Sequence, residues 1–323
     1  MNKLGLCILS NKNPMKKYLS PFLLLLFFAC SPSDDDTTRF DLADRLGVPV
    51  SASPFGGAGL FYENIAYGSG TRQQLDILLP HAGPFEGIVL FFHGGGFTSG
   101  DKRDSYDELL ASTMQTILDN NVALVSANYT LLTTPGNRGV ISALDDGADA
   151  IAYVQDHLSD LGVPTNKLIL AGASAGAGIA QWNGFREATN AQVQGVVALA
   201  AQSSYDLYEW EEVFPGFTLD GLRQSNPFLQ SLFLQFYGGS EPTQQELDAV
   251  DYRSFMDGQD PPLYVLNTAG DQLINAQGQL DFDVLYHSFR HADYLRAKAI
   301  EVALEFSGIY QESPDAFVLR QLR

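Results

Sequence analysis

The 323-residue chain carries 38 acidic side chains against 19 basic ones, a formal charge of −19, so its surface repels nucleic acid and anionic lipid. Residues 1–29 hold four of the basic residues and none of the acids, which leaves −23 on the remainder. Both cysteines, Cys7 and Cys30, lie near the N-terminus, which excludes disulfides from the folded domain. The length of the remainder fits one large domain better than two.

The N-terminal segment has the pattern of a secretory signal. A basic region begins at Met15, and the apolar stretch 22–29 that follows is too short for a permanent membrane span. Residues 1–29 are therefore predicted to be a signal peptide, with Met15 as an alternative first residue. The Ala29-Cys30 pair resembles the cleavage site of bacterial lipoproteins, which implies lipidation of Cys30 and a membrane anchor. An ordinary cleaved signal with an incidental cysteine is the alternative.

A polar stretch separates this signal from the folded domain. The run 31–38 consists of Ser, Pro, Asp and Thr, cannot bury apolar surface, and predicts a flexible tether over residues 30–45. In some Gram-negative lipoproteins a similar Ser/Asp run directs the protein to the outer face of the outer membrane, whereas a plain spacer is the other interpretation. These features predict an outer-membrane lipoprotein of the cell envelope, and they leave surface exposure open.

Beyond the tether, apolar runs of strand length alternate with helical patterns. Most of these runs lack polar alternation, as expected of parallel strands covered on both faces. Strands are predicted at 75–79, 87–92, 122–127, 167–171, 196–201, 263–266 and 301–306. Helices are predicted at 104–120, 142–161, 175–188 and 282–298. The alternation predicts an α/β domain over residues 46–323, with a doubly wound, mostly parallel sheet.

The segment 203–260 interrupts this alternation between two predicted strands. It is long and rich in aromatic residues, and its position predicts a cap-like helical insertion over the carboxyl edge of the sheet. The alternative is that the aromatic side chains only pack the inserted helices together. Trp210 stands among three glutamates, which predicts an exposed aromatic ring.

A Gly-x-Ser-x-Gly pentad, Gly172–Gly176, follows the apolar run 167–171 directly. A sharp turn from strand to helix would lift the Ser174 hydroxyl clear of the backbone, and the flanking glycines make room for that turn. The pentad therefore nominates Ser174 as a nucleophile. A small residue in a Gly/Ala turn is the alternative.

A second motif, His93-Gly94-Gly95-Gly96-Phe97, ends the apolar strand 87–92. Backbone N–H groups of Gly95 and Gly96, together with that of Ala175 just after the nucleophile, are predicted to form an oxyanion hole. Glycine is needed there because a Cβ would obstruct the tetrahedral intermediate. His93 is interpreted as a brace for the loop.

The two motifs, together with Gly100-Asp101-Lys102 and Asn128-Tyr129, resemble the α/β-hydrolase superfamily over residues 75–306. The resemblance is greatest to bacterial carboxylesterases similar to hormone-sensitive lipase and to feruloyl and acetylxylan esterases. It implies an ester hydrolase that acts through an acyl-serine, with Ser, Asp and His in that chain order.

The resemblance implies Asp271 as the acid, because it follows the strand 263–266. A turn-capping role is the alternative for Asp271. Asp281 and Asp283 are less favoured substitutes, since both should lie on or near the next helix.

The base has no evident position, because the loop after the last predicted strand contains no histidine. His287 and His291 lie inside the predicted helix 282–298, where they border the buried stripe and are expected to meet solvent. His287 is the nearer candidate for the base. Glu312 could accept a proton, but an unperturbed carboxylate is a poor base for serine. No motif indicates a metal or a cofactor.

The sequence therefore predicts a secreted, lipid-anchored serine carboxylesterase that deacylates small-molecule or polysaccharide esters. A non-catalytic binding protein of the same fold, which has lost its catalytic histidine, is the alternative. A chain whose C-terminal sequence omits that histidine is the third possibility. Acyl and alcohol specificity and the oligomeric state remain open, because analogy of fold does not define them.

Overall fold

The structure is a computed structural model that describes residues 52–57, 59–81, 83–159, 162–308 and 310–323. The predicted signal peptide, Cys30 and the tether over residues 30–45 lie outside these described residues. Within the described residues, no helix combines the length and the apolar character needed to cross a membrane.

The described residues form one eight-stranded sheet in the order β1-β2-β4-β3-β5-β6-β7-β8. The strands are β1 (Leu60–Ala66), β2 (Gln74–Leu79), β3 (Gly87–Phe92), β4 (Val122–Ala127), β5 (Leu168–Ala173), β6 (Val193–Leu199), β7 (Leu263–Leu266) and β8 (Phe306–Gly308). Strand β2 runs antiparallel to β1 and to β4, and every other pair is parallel. The predicted mostly parallel, doubly wound sheet is confirmed.

The central strands are buried on both faces, which explains their unbroken apolar sequences. In β3, Ile88, Leu90 and Phe92 belong to one core cluster, and Val89 and Phe91 belong to a second cluster on the opposite face. All six residues of β3 and all six of β4 are buried. This alternation is the side-chain period of a strand covered by helices on both sides.

Helices cover the two faces of the sheet. They are α1 (Glu108–Asp119), α2 (Val140–Leu158), α3 (Ala175–Gly184), α4 (Trp210–Val213), α5 (Leu219–Ser225), α6 (Pro227–Phe236), α7 (Gln244–Val250), α8 (Tyr252–Phe255), α9 (Phe282–His287), α10 (Phe289–Glu301) and α11 (Pro314–Leu322). Buried residues of α1 and α11 join the smaller core cluster. Those of α2, α3 and the insertion join the larger one on the other face.

The structure corrects two predictions about the elements and adds one strand. The predicted helix 282–298 is broken at Ser288, whose ψ of 145° is extended, so α9 and α10 are separate. The predicted strand 301–306 is wrong, because α10 runs to Glu301 and ends in a turn with Ala303 at φ 60°. The Leu304 N–H bonds the Ala299 carbonyl at 2.8 Å, the closing bond of a Schellman turn. Strand β1 was not predicted.

The segment 203–260 connects β6 to β7 and contains helices α4 to α8. Most of its aromatic rings pack in the larger core cluster. Trp210 is only 5% exposed, and its indole N–H donates to the Ser204 carbonyl at 3.0 Å, so the prediction of an exposed ring was wrong. The charge of the neighbouring glutamates does not indicate the direction of the Trp210 side chain, because residues next to each other on a helix point to different sides. The Trp210 ring faces the core.

Candidate active site

Ser174 lies at the turn between β5 and α3, as the pentad predicts. Its backbone has φ 50° and ψ −116°, a conformation that costs free energy for a non-glycine residue and is typical of a nucleophile elbow. The turn is tightly packed, because a Cβ on Gly172 would collide with the Gly176 carbonyl and a Cβ on Gly176 would collide with the Phe92 carbonyl. The glycines of the pentad therefore allow the serine to be held at this turn.

The glycine loop after β3 lies beside this turn. Gly95 has φ +108°, and a Cβ there would collide with the Ser99 carbonyl, so the loop requires glycine. Gly96 has φ +59° and nothing within 4 Å of an added Cβ. Gly96, Ser174 and Ala175 line one cavity. The structure therefore brings Gly96 and Ala175 to the serine, with Gly95 in the adjacent position of the loop.

His93 is fully buried and forms a hydrogen bond within the glycine loop. Its Nδ1–H donates to the Gly94 carbonyl at 2.6 Å, and its Nε2 accepts from Arg72 Nη2 at 3.1 Å. The ring stacks on Tyr129 with centroids 4.3 Å apart, and the Tyr129 hydroxyl donates to the His93 carbonyl at 2.8 Å. Burial, followed by the Arg72 charge, lowers the pKa of His93. A neutral histidine bonded on both ring nitrogens is a structural group.

The remaining motif residues support the same loop. Asn128 accepts from the Lys102 backbone N–H at 2.7 Å and donates to Asp101 Oδ2 at 2.9 Å. Lys102 is buried and forms an ion pair with the fully buried Asp76 at 3.1 Å. Desolvation raises the pKa of Asp76, and the hydrogen bond from Asn64 and the Lys102 charge oppose that rise. Arg72 was not singled out in the sequence analysis. Its guanidinium donates to the backbone carbonyls of Tyr129 and Gly100 and so joins the two chain segments that carry these motifs.

His287, the nearer of the two candidates for the base, lies beside Ser174. Its Nε2 lies 3.0 Å from Ser174 Oγ, and its Nδ1 lies 2.7 Å from Asp283 Oδ1. A carboxylate only accepts hydrogen bonds, so Nδ1 carries the proton and Nε2 is free to accept from the serine hydroxyl. The three side chains form the geometry of a serine hydrolase triad. Asp283 and His287 lie one turn apart on the six-residue helix α9.

Asp271, predicted as the acid, does not contact His287. Its carboxylate accepts from Arg290 Nη2 at 3.1 Å and from Gln272, and the carboxylate on His287 belongs to Asp283. Hydrogen bonding from Gln272 and the Arg290 charge lower the pKa of Asp271. The sequence analysis ranked Asp283 below Asp271 because Asp283 was expected on or near the next helix, and the structure brings the end of that helix to Ser174.

Contacts from the end of β7 hold the break between α9 and α10. The Asn267 amide donates to the Ser288 carbonyl at 2.9 Å, and the Ser288 hydroxyl donates to the Gly270 carbonyl at 2.5 Å. The Phe289 N–H bonds the Ala269 carbonyl at 3.0 Å instead of continuing the helix. The break therefore places the C-terminal end of α9, with His287, beside the strand edge that carries Ser174.

The other two candidates for the base lie elsewhere. His291 is fully buried, against the expectation that it meets solvent, and it bonds Ser203 and the Leu285 carbonyl. Glu312 pairs with Arg320 at 2.7 Å and accepts from Ser307. Among the residues that the structure describes, no cluster of three His, Cys, Asp or Glu could hold a metal ion.

A cavity of about 310 Å³ opens beside Ser174 and is lined mainly by apolar side chains. The insertion supplies most of the wall, including Tyr205, Trp210, Phe217, Phe233 and Phe236. Arg223 is the one charged residue in the described lining, and its guanidinium is occupied by Gln230, Tyr208, Asp220 and Glu241. The cavity therefore suits an uncharged apolar group.

Comparison with known proteins identifies the family of the chain. The profile of the BD-FAE family matches residues 75–283, and the chain belongs to this family of α/β-hydrolase esterases. Among curated proteins, Esterase LipI of Mycobacterium tuberculosis is 32% identical over 93 residues. The match covers 29% of this chain and 27% of that relative, so it spans about a quarter of the relative's length.

Solved structures share the fold at low sequence identity. A truncated carbohydrate esterase from gut microbiota superimposes with a TM-score of 0.60 at 13% identity, covering 82% of this chain and 97% of that one. Esterase B of Lactobacillus rhamnosis gives 0.57 at 13% identity, covering 89% and 91%. The thermophilic esterase Est2 of Thermogutta terrifontis gives 0.54 at 17% identity, covering 82% and 84%. These similarities confirm the predicted α/β-hydrolase fold.

Proposed function

We propose that the protein is a serine carboxylesterase in which Ser174 is the nucleophile, His287 the general base and Asp283 the acid. One observation carries the proposal: His287 joins the Ser174 hydroxyl at 3.0 Å to the Asp283 carboxylate at 2.7 Å. The nucleophile and its base are thus within hydrogen-bonding reach, and the base is oriented by a third group. The alternative of a binding protein without a catalytic histidine loses its motivation, because a histidine occupies the position.

The proton movements follow from the hydrogen bonds. His287 Nε2 takes the hydroxyl proton as Ser174 Oγ attacks the ester carbonyl, and Asp283 stabilises the imidazolium that forms. The oxyanion accepts from backbone N–H groups of Gly96 and Ala175, with Gly95 as the neighbouring donor. The imidazolium then protonates the leaving alcohol, which yields an acyl-serine. A water molecule, deprotonated by His287, hydrolyses this intermediate.

The cavity supports an acyl group larger than acetyl. Its volume of about 310 Å³ stands at the lower end of the range for small-molecule pockets, about 300–1,000 Å³. The oxyanion residues Gly96 and Ala175 line it, so a bound acyl chain would extend from the reacting carbonyl into the aromatic wall. We infer an aromatic acyl group such as feruloyl, or a medium aliphatic chain, as the preferred acyl part. The similarity of fold to a carbohydrate esterase supports a carbohydrate alcohol.

A series of nitrophenyl esters tests both parts of this proposal. Burial of each additional methylene contributes about 0.8 kcal/mol, so kcat/KM should rise about fourfold per methylene from acetate to butyrate until the cavity is filled. Methyl ferulate extends the series to an aromatic acyl group, and Ser174→Ala is the control for each substrate. A preference for acetate would contradict the assignment of the cavity. Turnover that persists in Ser174→Ala would contradict the nucleophile.

The proposed location rests on the sequence pattern at Cys30. We propose that the acyl chains on this cysteine anchor the enzyme to the outer membrane, since the strongly acidic domain would not adhere to anionic lipid by charge. Metabolic labelling with an alkyne fatty acid in a Gram-negative host tests this anchor. The wild-type protein should be labelled and membrane-bound, and Cys30→Ser should be unlabelled. Labelling of both proteins, or of neither, would contradict the anchor.

A further inference from the structure

Helix α9 carries both the acid and the base, yet it has only six residues. A helix this short is not stable without tertiary contacts. The Asp283 side chain is 73% exposed and supplies little packing. The proposed catalytic geometry therefore depends on groups that fix the end of α9, where His287 lies.

The break at Ser288 leaves one helix carbonyl without its ordinary partner. In a continuous helix the Phe289 N–H would bond the Leu285 carbonyl, but here that N–H bonds Ala269. The Leu285 carbonyl instead accepts from His291 Nε2 at 2.9 Å. Leu285 is buried, so this carbonyl would otherwise remain unsatisfied in the core.

The other nitrogen of His291 binds the segment that follows β6. Nδ1 accepts from the Ser203 hydroxyl at 2.9 Å and lies 3.3 Å from the Ser203 backbone N–H. Since Nε2 donates and Nδ1 accepts, the ring is neutral. The His291 backbone N–H also bonds the Ser288 carbonyl at 3.1 Å. One imidazole thus links the end of α9 to the first residue of the insertion.

Two aromatic rings pack against the buried His291 side chain. Trp210 lies edge-on with centroids 5.1 Å apart, and Phe214 lies edge-on at 5.4 Å. His291 itself has no exposed surface. The neighbouring residue Arg290 forms an ion pair with Asp271, but both side chains are about one-third exposed, at 36% and 37%. A buried neutral hydrogen-bonded group fixes position more firmly than an exposed ion pair.

From these contacts we infer that His291 is a positioning residue for the proposed reaction. It holds the C-terminal end of α9 against Ser203, and it thereby keeps His287 Nε2 within reach of the Ser174 hydroxyl. The inference rests on the proposed function, because it concerns the placement of the proposed base. His291 itself does not reach the substrate.

The variant His291→Phe keeps a ring between Trp210 and Phe214 and removes both side-chain hydrogen bonds. Its kcat for nitrophenyl butyrate should fall about tenfold to a hundredfold, since displacement of a catalytic group by about 1 Å costs on that order, while KM changes little. His291→Gln, which restores a donor toward Leu285, should recover part of the loss. His157→Phe is the matched control, because that exposed histidine lies on the last turn of α2, where its ring stacks on Tyr153.

A spectroscopic readout separates positioning from loss of folding. The Nδ1 proton of His287, bonded to Asp283, should give a downfield proton NMR resonance that is absent in His287→Ala. His291→Phe should shift or broaden it, and His157→Phe should leave it unchanged. If His291→Phe does not fold, Ser203→Ala removes one partner of the ring and should show a smaller change of the same kind.

Two failures are distinguishable in these measurements. Wild-type protein without Ser174-dependent turnover would overturn the proposed function. Active wild type, with a folded His291→Phe that keeps kcat within about twofold and retains the His287 resonance, would overturn the positioning role alone.

Discussion

Replacement of Asp283 by asparagine tests the acid of the proposed triad. The carboxylate lies 2.7 Å from His287 Nδ1, and the Asp283 side chain is 73% exposed. A hydrogen bond to a charged group contributes about 1.5–3 kcal/mol, so Asp283→Asn should lower kcat about 10- to 150-fold. The loss should stay well below the roughly 10⁴-fold effect of the same change at a buried triad aspartate, because water replaces part of the lost charge here.

Asp271→Asn is the matched control, since it makes the same chemical change at the acid that the sequence favoured. It disturbs only the contacts of the Asp271 carboxylate with Arg290 and Gln272, which lie at the surface, so kcat should remain within about fivefold of wild type. Initial rates with nitrophenyl butyrate and a melting temperature for each variant complete the assay. A larger loss in Asp271→Asn than in Asp283→Asn, with both proteins folded, would refute the assignment of the acid.

Four further changes have defined outcomes. Gly96→Ala places a Cβ in open space at φ +59°, so thermal unfolding should show a loss of about 1–2 kcal/mol, and kcat should fall because that Cβ approaches the oxyanion site. Gly95→Ala collides with backbone and should lower stability more than Gly96→Ala, and equal melting temperatures would contradict this. Lys102→Met leaves a buried carboxylate unpaired and should cost about 3–5 kcal/mol in urea unfolding, so an unchanged midpoint would contradict the ion pair. Burial lowers the pKa of His291 from 6.5 to about 4. Below pH 6.5 the unfolded chain therefore binds a proton that the folded chain does not, and about 3 kcal/mol of stability is lost as the pH falls toward 4. Burial raises the pKa of Asp260 to about 6, so this residue adds stability as the pH falls. Asp260 is present in both wild type and His291→Phe, so its contribution cancels when the two proteins are compared. As the pH falls toward 4, the difference in unfolding free energy between wild type and His291→Phe should therefore shrink by about 3 kcal/mol. A difference that does not change with pH would contradict a buried, neutral His291.

The sequence predicts the sheet well because its central strands are buried on both faces. The bounds of β3, β4 and β7 follow directly from apolar runs. The edge strand β1 was not predicted, since half of it is solvent-facing and its pattern is irregular around a register shift between Tyr62 and Ile65. The end of α10 was misread because an alanine, Ala303, adopts the left-handed conformation that glycine usually marks.

The part of the site that lies in short, local sequence motifs can be predicted from the sequence. Ser174 and the glycine loop stand in short patterns that their own backbone geometry requires, so the sequence indicates them. The positions of Asp283 and His287 depend on the break at Ser288, which is held by hydrogen bonds to the distant residues Asn267 and Ala269. No local sequence pattern indicates those long-range hydrogen bonds. The spacing of Asp283 and His287, one helical turn apart, was the available signal.

The central claim, that Ser174 is a nucleophile activated by His287, is tested most directly by a fluorophosphonate probe and mass-spectrometric peptide mapping. The wild-type protein should carry the label on the peptide that contains Ser174, Ser174→Ala should carry none, and His287→Ala should react far more slowly. A folded wild type that is not labelled, or a label that persists on another residue in Ser174→Ala, would contradict the claim.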